Sequence, residues 1–249
     1  MDISGNTIFI PGATSGIGLA LALRLQSAGN TVIVGGRRTD LLGRLASEHG
    51  LGCEEIDITD PASILAARDR VLGRHPDLNV LVLMAGVMAS EDVRGAGFLA
   101  DAERVVATNI LGPLRLVAAF VEHLQTRPDA TLVTVSSGLA HVPLAITPTY
   151  NGSKAFIHRF SETIRLQLAG TSVRVVEIVP PGVRTELMPG QSEIEQFMPL
   201  DSFVDEVMTL LEAQPDAREI LVESVKFLRF AESENRYDGA VAAINGLRH

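Results

Sequence analysis

Tyr150 and Lys154 are the two residues whose types and spacing most clearly suggest chemistry. They lie four residues apart in the segment Thr149-Tyr-Asn-Gly-Ser-Lys154, in a chain of 249 residues that contains two tyrosines. Residues four apart lie on the same face of a helix. A free phenol titrates at about pH 10, and a neighbouring ammonium favours the phenolate and lowers that pKa. The pair is a candidate acid–base, with an ordinary solvated surface pair as the alternative.

A glycine-rich turn is the second chemical feature. Gly12, Gly16 and Gly18 lie between a short apolar run and a helix-like segment, with the spacing G-x-x-x-G-x-G. Glycine permits a tight turn and the close approach of a phosphate to backbone N–H groups, and the following helix adds its positive dipole end. In the first strand–helix turn of an α/β chain this pattern indicates a dinucleotide site, with a purely structural turn as the alternative.

Short β-branched segments alternate with helix-like segments along the whole chain. This alternation predicts an α/β fold, a Rossmann-type doubly wound parallel sheet with helices on both faces. We expect a single domain over residues 1–249, because the sequence shows no linker, repeat or low-complexity tract. The predicted strands are 7–10, 31–34, 53–56, 79–83, 131–135, 173–179 and 219–222. The predicted helices are 16–28, 40–49, 62–73 (capped by Asp60 or Thr59), about 100–125, 149–168, one within an insertion at about 185–214, and one at the C-terminus.

Composition narrows the class of protein. The chain is 46% hydrophobic, which suits one substantial core. A net charge of −9 argues against a nucleic-acid binder. Cys53 is the one cysteine, which excludes an internal disulfide and fits a reducing compartment. The sequence shows no signal-peptide pattern and no apolar stretch of about 18 residues, so we expect a cytoplasmic protein without a membrane partner.

The glycine turn and the Tyr150-xxx-Lys154 motif, about 130 residues apart, together resemble the classical short-chain dehydrogenase/reductase family. The resemblance covers nearly the whole chain. It implies that Tyr150 is the general acid–base, which exchanges a proton with the substrate oxygen while hydride moves between carbon and nicotinamide. It also implies that Lys154 lowers the phenol pKa and binds the nicotinamide ribose.

The same resemblance implies two further catalytic residues. Ser137, thirteen residues before the tyrosine, matches the serine that holds the substrate oxygen, and Ser136 is the structural alternative. Asn109 matches an asparagine that distorts its helix and anchors a water of the proton relay. An asparagine in an apolar helix is costly unless its amide is satisfied.

The end of the second predicted strand bears on the choice of cofactor. The segment Val34-Gly-Gly-Arg-Arg38 places Gly36 where NAD-preferring enzymes of this kind carry an acid. Two arginines follow, and a guanidinium suits a ribose 2′-phosphate. We predict NADP(H) in preference to NAD(H), with Arg37 as the main contact and Arg38 next. The alternative is that both arginines are solvated loop charges.

The resemblance implies a wider set of cofactor contacts. Asp57 would bond the adenine amino group, with a backbone contact from Ile58. Ala85 and Gly86 would lie beside the adenosine ribose, and the Val183 backbone would bond the carboxamide. The full predicted set is Gly12, Thr14, Ser15, Gly16, Ile17, Gly18, Arg37, Arg38, Asp57, Ile58, Ala85, Gly86, Tyr150, Lys154, Pro180, Val183 and Thr185. The chain departs from the family pattern at Pro11, Leu83, Met84 and Pro181.

Three loops should form the substrate site: about 87–97, 138–147 and 186–200, the last as a lid. Their apolar residues suggest a pocket with little charge, for an uncharged, apolar aldehyde or ketone, although such residues also pack against cores. These residues are Val87, Met88, Leu139, Leu144, Ile146, Leu187, Met188, Phe197 and Met198. We interpret His141 and His158 as ordinary residues, and we predict no metal site.

The sequence thus predicts an NADP(H)-dependent oxidoreductase that interconverts a carbonyl and an alcohol on a small molecule. One alternative is a dinucleotide-sensing binding protein without turnover. Another is an isomerase or lyase on the same fold. The long helices at about 100–125 and 149–168 are apolar enough to form a homodimer or homotetramer, or to pack on the sheet.

Overall fold

Seven strands form one sheet in the computed structural model, which describes residues 2–246. The strands are β1 Thr7–Pro11, β2 Thr31–Gly36, β3 Gly52–Glu55, β4 Val80–Leu83, β5 Thr131–Val135, β6 Arg174–Ile178 and β7 Glu219–Ile220. Their spatial order is β3-β2-β1-β4-β5-β6-β7, and every neighbouring pair is parallel. The chain therefore winds outward in both directions from the β1–β4 pair, which confirms the predicted doubly wound sheet.

Helices cover both faces of the sheet. They are α1 Gly16–Ser27, α2 Thr39–His49, α3 Pro61–Arg74, α4 Leu99–Val106, α5 Gly112–Gln125, α6 Pro148–Gln167, α7 Leu200–Ala213, α8 Lys226–Arg229 and α9 Tyr237–Asn245. Buried residues of α1, α2 and α7 share one hydrophobic core, and those of α3, α5 and α6 share the other. In β1, Ile8 and Ile10 enter the first core while Phe9 enters the second, as the two-residue strand period requires.

The predicted boundaries hold to within a few residues, and local signals explain the best of them. Asp60 caps α3, because its Oδ1 accepts a hydrogen bond from the backbone N–H of Ala62 at 2.9 Å, and Pro61 opens the helix. The long helix predicted at about 100–125 is divided into α4, a π-helical turn at Ala107–Leu111, and α5. The last strand is shorter than predicted, with two residues.

The helical stretch Ala96–Gln125 is long and apolar enough to cross a membrane by length and composition alone. The expectation that no segment reaches that threshold is therefore wrong for this stretch. Its inner face packs on the sheet, where Leu116, Phe120 and Leu124 are at most 1% exposed. A core helix of an α/β fold meets the same criteria, because one of its faces must be apolar to pack.

Substitution of Phe120 tests the packing of the second hydrophobic core. Its ring lies 5.7 Å from the ring of Phe9, and both side chains are fully buried. We expect Phe120→Ala to lower the free energy of unfolding by about 3–5 kcal/mol, because it removes buried surface and leaves a cavity. Gln125→Ala, at an exposed position of the same helix, should change it by less than about 0.5 kcal/mol. Denaturant unfolding at one protein concentration measures both, and equal effects would contradict the packing described here.

Candidate active site

The glycine turn brings the backbone close to the centre of the sheet. Gly12 has φ +91°, and a Cβ atom there would lie 2.5 Å from the Cα of Ala85, so only glycine fits. Its N–H donates to the Gly35 carbonyl at 2.8 Å, which fixes the turn against β2. Helix α1 begins at Gly16, and the Ser15 side chain does not cap it. The first N–H groups of α1 are therefore available to an anion, and this geometry fits a dinucleotide phosphate.

Helix α6 carries the tyrosine and the lysine. Its first turn is held by Glu91, whose Oε2 accepts hydrogen bonds from the Thr149 hydroxyl at 2.7 Å and from the Thr149 N–H at 3.1 Å. Tyr150 and Lys154 are each 6% exposed and lie on one face of the helix. The Lys154 Nζ donates to the Val135 carbonyl at 2.8 Å and lies 5.6 Å from the centroid of the Tyr150 ring.

Burial dominates the ionisation of this pair. It raises the pKa of the Tyr150 phenol to about 12, and a hydrogen bond with Ser137 offsets only part of the rise. Burial also lowers the pKa of the Lys154 ammonium to about 8, against the opposing charge of Glu177. The sequence predicted that the lysine would lower the phenol pKa. In the structure burial raises the phenol pKa and Ser137 opposes the rise, so the phenol is protonated at neutral pH, and a lowering of its pKa by the lysine stays a prediction.

Ser137 meets Tyr150 from the end of β5. Its hydroxyl oxygen also accepts a hydrogen bond from the Leu139 N–H at 3.1 Å, which orients the side chain. Ser136 lines the same cavity, and its buried hydroxyl has no hydrogen-bond partner among the described protein atoms. Both serines therefore line the same cavity as the tyrosine, and Ser137 is the one that acts on the phenol pKa.

Asn109 lies in the π-helical turn Ala107–Leu111 and is 1% exposed. Its side-chain oxygen accepts from the Val87 N–H at 2.9 Å, and its amide nitrogen donates to the Val87 carbonyl at 2.9 Å and to the Ser153 hydroxyl at 3.1 Å. The helix distortion expected at this position is present. The amide is satisfied by the loop after β4 and by α6, and it does not line the main cavity.

One cavity of about 620 Å³ joins the glycine turn to the tyrosine. It brings together most of the predicted site. The predicted residues that line it are Gly12, Ser15, Gly16, Ile17, Gly18, Gly86, Ser137, Tyr150, Lys154, Pro180, Val183 and Thr185. The cavity thus spans the parallel strands at their carboxyl ends, where ligands of doubly wound folds bind.

The substrate end of the cavity is more polar than predicted. Val87, Met88 and Leu187 line it as expected, but Arg104 and Glu186 line it as well. Arg184 is a further charged lining residue. Glu186 begins the third loop predicted for the substrate site, whereas Arg104 and Arg184 lie outside the predicted loops. Which helix or loop side chain reaches the cavity depends on tertiary packing, which the sequence does not show.

Several residues predicted for the substrate pocket lie elsewhere. Leu144 and Ile146 line a separate apolar groove with residues of α9. Phe197 packs against Gly182, where an added Cβ would lie 2.7 Å from the ring. Much of the apolar surface of these loops therefore packs against other parts of the protein, as the alternative interpretation of these residues holds.

A second polar group lies at the end of β2, outside the main cavity. Arg38 donates to the Thr14 hydroxyl at 2.8 Å, and the Arg37 guanidinium, 72% exposed, lies 3.9 Å from the Asp57 carboxylate. Burial opposes ionisation of Asp57, but hydrogen bonds from Thr59 and the charge of Arg37 outweigh it and lower the pKa. A Cβ at Gly36 would lie 2.5 Å from the Thr14 methyl group, so a side chain at position 36 has no room.

Two predicted cofactor contacts have side chains that serve the packing. The Ile58 side chain is 7% exposed and packs against Gly112. A Cβ atom added at Gly112 would lie 2.6 Å from the Cδ1 of Ile58. Ala85 packs against Gly12. If Ile58 and Ala85 contact the cofactor, they do so through backbone atoms, and both cofactor contacts stay predictions.

Comparison with known proteins assigns the chain to a family. Residues 6–196 match the family model described as short chain dehydrogenase. The chain is 39% identical to the uncharacterized oxidoreductase DltE of Bacillus subtilis over 189 residues, 75% of each chain. It is 36% identical to serine 3-dehydrogenase of Agrobacterium fabrum over 182 residues, 72% of this chain and 73% of that one. A crystal structure of a short chain dehydrogenase from Burkholderia cenocepacia in complex with NADP matches with a TM-score of 0.82 at 26% identity, over 100% of both chains.

The match to the family model includes the glycine turn, the end of β5 and helix α6, which line the cavity, and also the π-helical turn, which lies outside it. Motif, topology and geometry agree at each of these places. The chain belongs to the short chain dehydrogenase family of oxidoreductases, which act on CH–OH or C=O groups.

Proposed function

We propose that this oxidoreductase interconverts a carbonyl and an alcohol by hydride transfer with NADP(H), with Tyr150 as the general acid–base. The observation that carries the proposal is the convergence of Ser137, Tyr150 and Lys154 in the cavity that also contains the glycine turn. An uncharged, apolar aldehyde or ketone is the substrate class that Val87, Met88 and Leu187 support.

The ionisation states suit reduction at neutral pH. With its pKa raised to about 12, Tyr150 is a proton donor, and its hydrogen bond with Ser137 directs the hydroxyl toward one position. When bound, a reduced nicotinamide would supply the hydride that the carbonyl carbon accepts. The carbonyl oxygen takes the Tyr150 proton and becomes the alcohol, and the Lys154 ammonium stabilises the phenolate that remains. The reverse path, with the phenolate as base, gives alcohol oxidation.

Asn109 and the remaining contacts have supporting roles in the proposal. The Asn109 amide holds the loop after β4 against α6, and we propose that it orders a water near Lys154, as the family resemblance implies. The free N–H groups at the start of α1 would bind the pyrophosphate. Pro180, Val183 and Thr185 line the cavity where the nicotinamide end would lie.

The preference for NADP(H) rests on the end of β2. Gly36 leaves no carboxylate to bind a ribose 2′-hydroxyl, and the exposed Arg37 offers a guanidinium to a 2′-phosphate. The similar Burkholderia structure is a complex with NADP, which supports the same choice.

Arg37→Ala tests the cofactor preference. We expect it to weaken NADPH binding by about 10- to 100-fold, the loss of a charge-assisted contact of about 1.5–3 kcal/mol, and to change NADH binding much less. Arg44→Ala removes an exposed guanidinium from α2 and serves as the matched control. Titration followed by nicotinamide fluorescence measures each dissociation constant. Equal losses for the two cofactors would refute the contact with the 2′-phosphate.

Tyr150→Phe tests the acid–base role. The ring and its packing remain, so NADPH should bind with an unchanged dissociation constant, while turnover should fall by at least about 100-fold. Tyr237→Phe changes the other tyrosine, which is 38% exposed in α9, and should leave turnover intact. Full turnover in Tyr150→Phe would exclude the assignment. Tight NADPH binding with no turnover of any carbonyl or alcohol by the unaltered protein would favour a binding protein.

Arg104 favours a second substrate class, a small carbonyl or hydroxy compound that carries an acidic group. Arg104 lines the cavity, and its guanidinium donates to the exposed Asp101 carboxylate at 2.7 Å. The other cavity arginine, Arg184, is committed to the Phe197 carbonyl at 3.0 Å. Serine, the substrate named for the Agrobacterium relative, carries a carboxylate.

A pair of substrates separates the two classes. If Arg104 binds an acid, Arg104→Met should raise KM for a 3-oxo acid by about 10-fold or more and leave KM for its methyl ester unchanged. Steady-state kinetics with NADPH measure both values. An unaltered enzyme that prefers the ester, with no change in the variant, would leave the neutral carbonyl as the substrate class.

We also propose a homodimer or homotetramer formed through the long helices. Leu111 and Leu166 are 39% and 78% exposed on adjoining helical segments, and such apolar side chains suit contact with another copy. Light scattering in solution measures the mass, and a monomer would refute the proposal.

A further inference from the structure

A row of charged residues, one of them buried and the others half-buried, lies outside the cavity near Lys154. Glu177 in β6 is 0% exposed. Its register partners are Thr134 in β5 and Glu219 in β7, so these three side chains lie on the same face of the sheet, beneath α6. Two adjacent carboxylates repel each other, and burial increases that cost. The residues packed on this face must therefore supply positive charge.

Each carboxylate has a cationic partner. The Nδ1 of His158, in α6, lies 3.0 and 3.1 Å from the two carboxylate oxygens of Glu177 and 3.8 Å from a Glu219 oxygen. Arg229, in α8, donates to both oxygens of Glu219 at 2.8 and 2.9 Å. The hydrogen bond with Glu177 raises the pKa of His158, although burial opposes it, and this favours the imidazolium.

The row continues to the proposed active site. His158 lies one helical turn after Lys154 on the same face of α6. The Lys154 Nζ bonds the carbonyl of Val135, the residue after the β5 neighbour of Glu177. The charge of Glu177 opposes the desolvation that lowers the pKa of Lys154. Glu177 is therefore hydrogen-bonded to one cation, the His158 imidazolium, and influences a second, the Lys154 ammonium, through its charge and without an ion-pair contact.

His141 completes the surroundings. Its ring meets that of His158 edge-on, with centroids 4.5 Å apart, and burial together with the His158 charge lowers its pKa to about 4. His141, His158 and Glu219 place possible metal-ligand atoms within 4.8 Å of one another. However, Arg229 already bonds both Glu219 oxygens, and its own positive charge would repel a metal ion there. The arrangement fits a network of ion pairs.

We propose that Glu177, held in place by His158, is a positioning residue that keeps the Lys154 ammonium charged from outside the cavity. The carboxylate never reaches the cavity and acts on the substrate only through Lys154. Without it, a nearly fully buried ammonium would have only a carbonyl dipole to offset its desolvation. This inference rests on the proposed function only for the use of Lys154 in turnover.

The lysine content of the chain makes a direct test possible. Lys154 and Lys226 are its only lysines, so isotopic labelling of lysine side chains gives two NMR signals, which Lys226→Arg assigns. In Glu177→Gln we expect the titration midpoint of Lys154 to fall by about one pH unit, a tenfold change in the ratio of ammonium to amine. The signal of Lys226, which pairs with Glu223 at the surface, serves as the internal reference.

Glu219→Gln is the matched control. It removes a carboxylate from the same row, but one that lies in β7, one strand further from the Lys154 contact at β5, so the Lys154 midpoint should move much less. A Lys154 midpoint that does not move in Glu177→Gln, or that moves equally in both variants, would overturn the inference. A merely structural role of Glu177 would lower stability without this selective shift.

His158→Gln should shift the Lys154 midpoint in the opposite direction, and it tests the inference if Glu177→Gln does not fold. It leaves the Glu177 charge uncompensated, so the Lys154 midpoint should rise, and a fall or no change would overturn the inference. The pH profile of kcat/KM separates the two proposals. If the Lys154 midpoint shifts in Glu177→Gln while the alkaline limb of the profile stays fixed, Glu177 acts on the lysine but the lysine is not used in turnover as proposed.

Discussion

The burial of one ammonium group is the constraint on which the rest of the site depends. Lys154 is 6% exposed inside a helix that packs on the sheet, and an isolated charge in that position would lose its proton. A carbonyl at the end of β5 and the carboxylate of Glu177 hold the charge there. Because Tyr150 shares the helix face, the same contacts that retain the charge also fix the direction of the phenol.

Helix α6 is tied down at three places along its length, each by a different element. Glu91 from the loop after β4 holds its first turn, Asn109 from the π-helical turn bonds Ser153 in the second, and Glu177 from β6 bonds His158 in the third. The π-helical turn at Ala107–Leu111 places the Asn109 amide between the backbone N–H and carbonyl of Val87 and the Ser153 hydroxyl of α6. Each tie uses a buried polar group that reaches its partner on α6 only when the chain is folded.

The parts of the site that follow local rules could be predicted from the sequence. Gly12 needs a positive φ, Tyr150 and Lys154 share a helix face, and Asp60 caps a helix. Each of these features can be recognised from residue types and their spacing in the sequence. The parts set by register and packing could not. Glu177 and Glu219 become neighbours only when β6 and β7 pair, and the place of Arg104 on the cavity wall depends on how α4 docks. For the same reason, apolar loop residues such as Leu144 were assigned to the substrate pocket but pack elsewhere.

The tight packing of Gly36 against Thr14 has a consequence for how cofactor preference can change by mutation. Any side chain at position 36 would push Thr14 aside, and the Thr14 hydroxyl is the anchor of Arg38. A carboxylate introduced there would therefore bring a charge suited to a free ribose and at the same time release the arginine beside it. A substitution at position 36 would therefore also disturb the contact between Thr14 and Arg38, unless position 14 became smaller first.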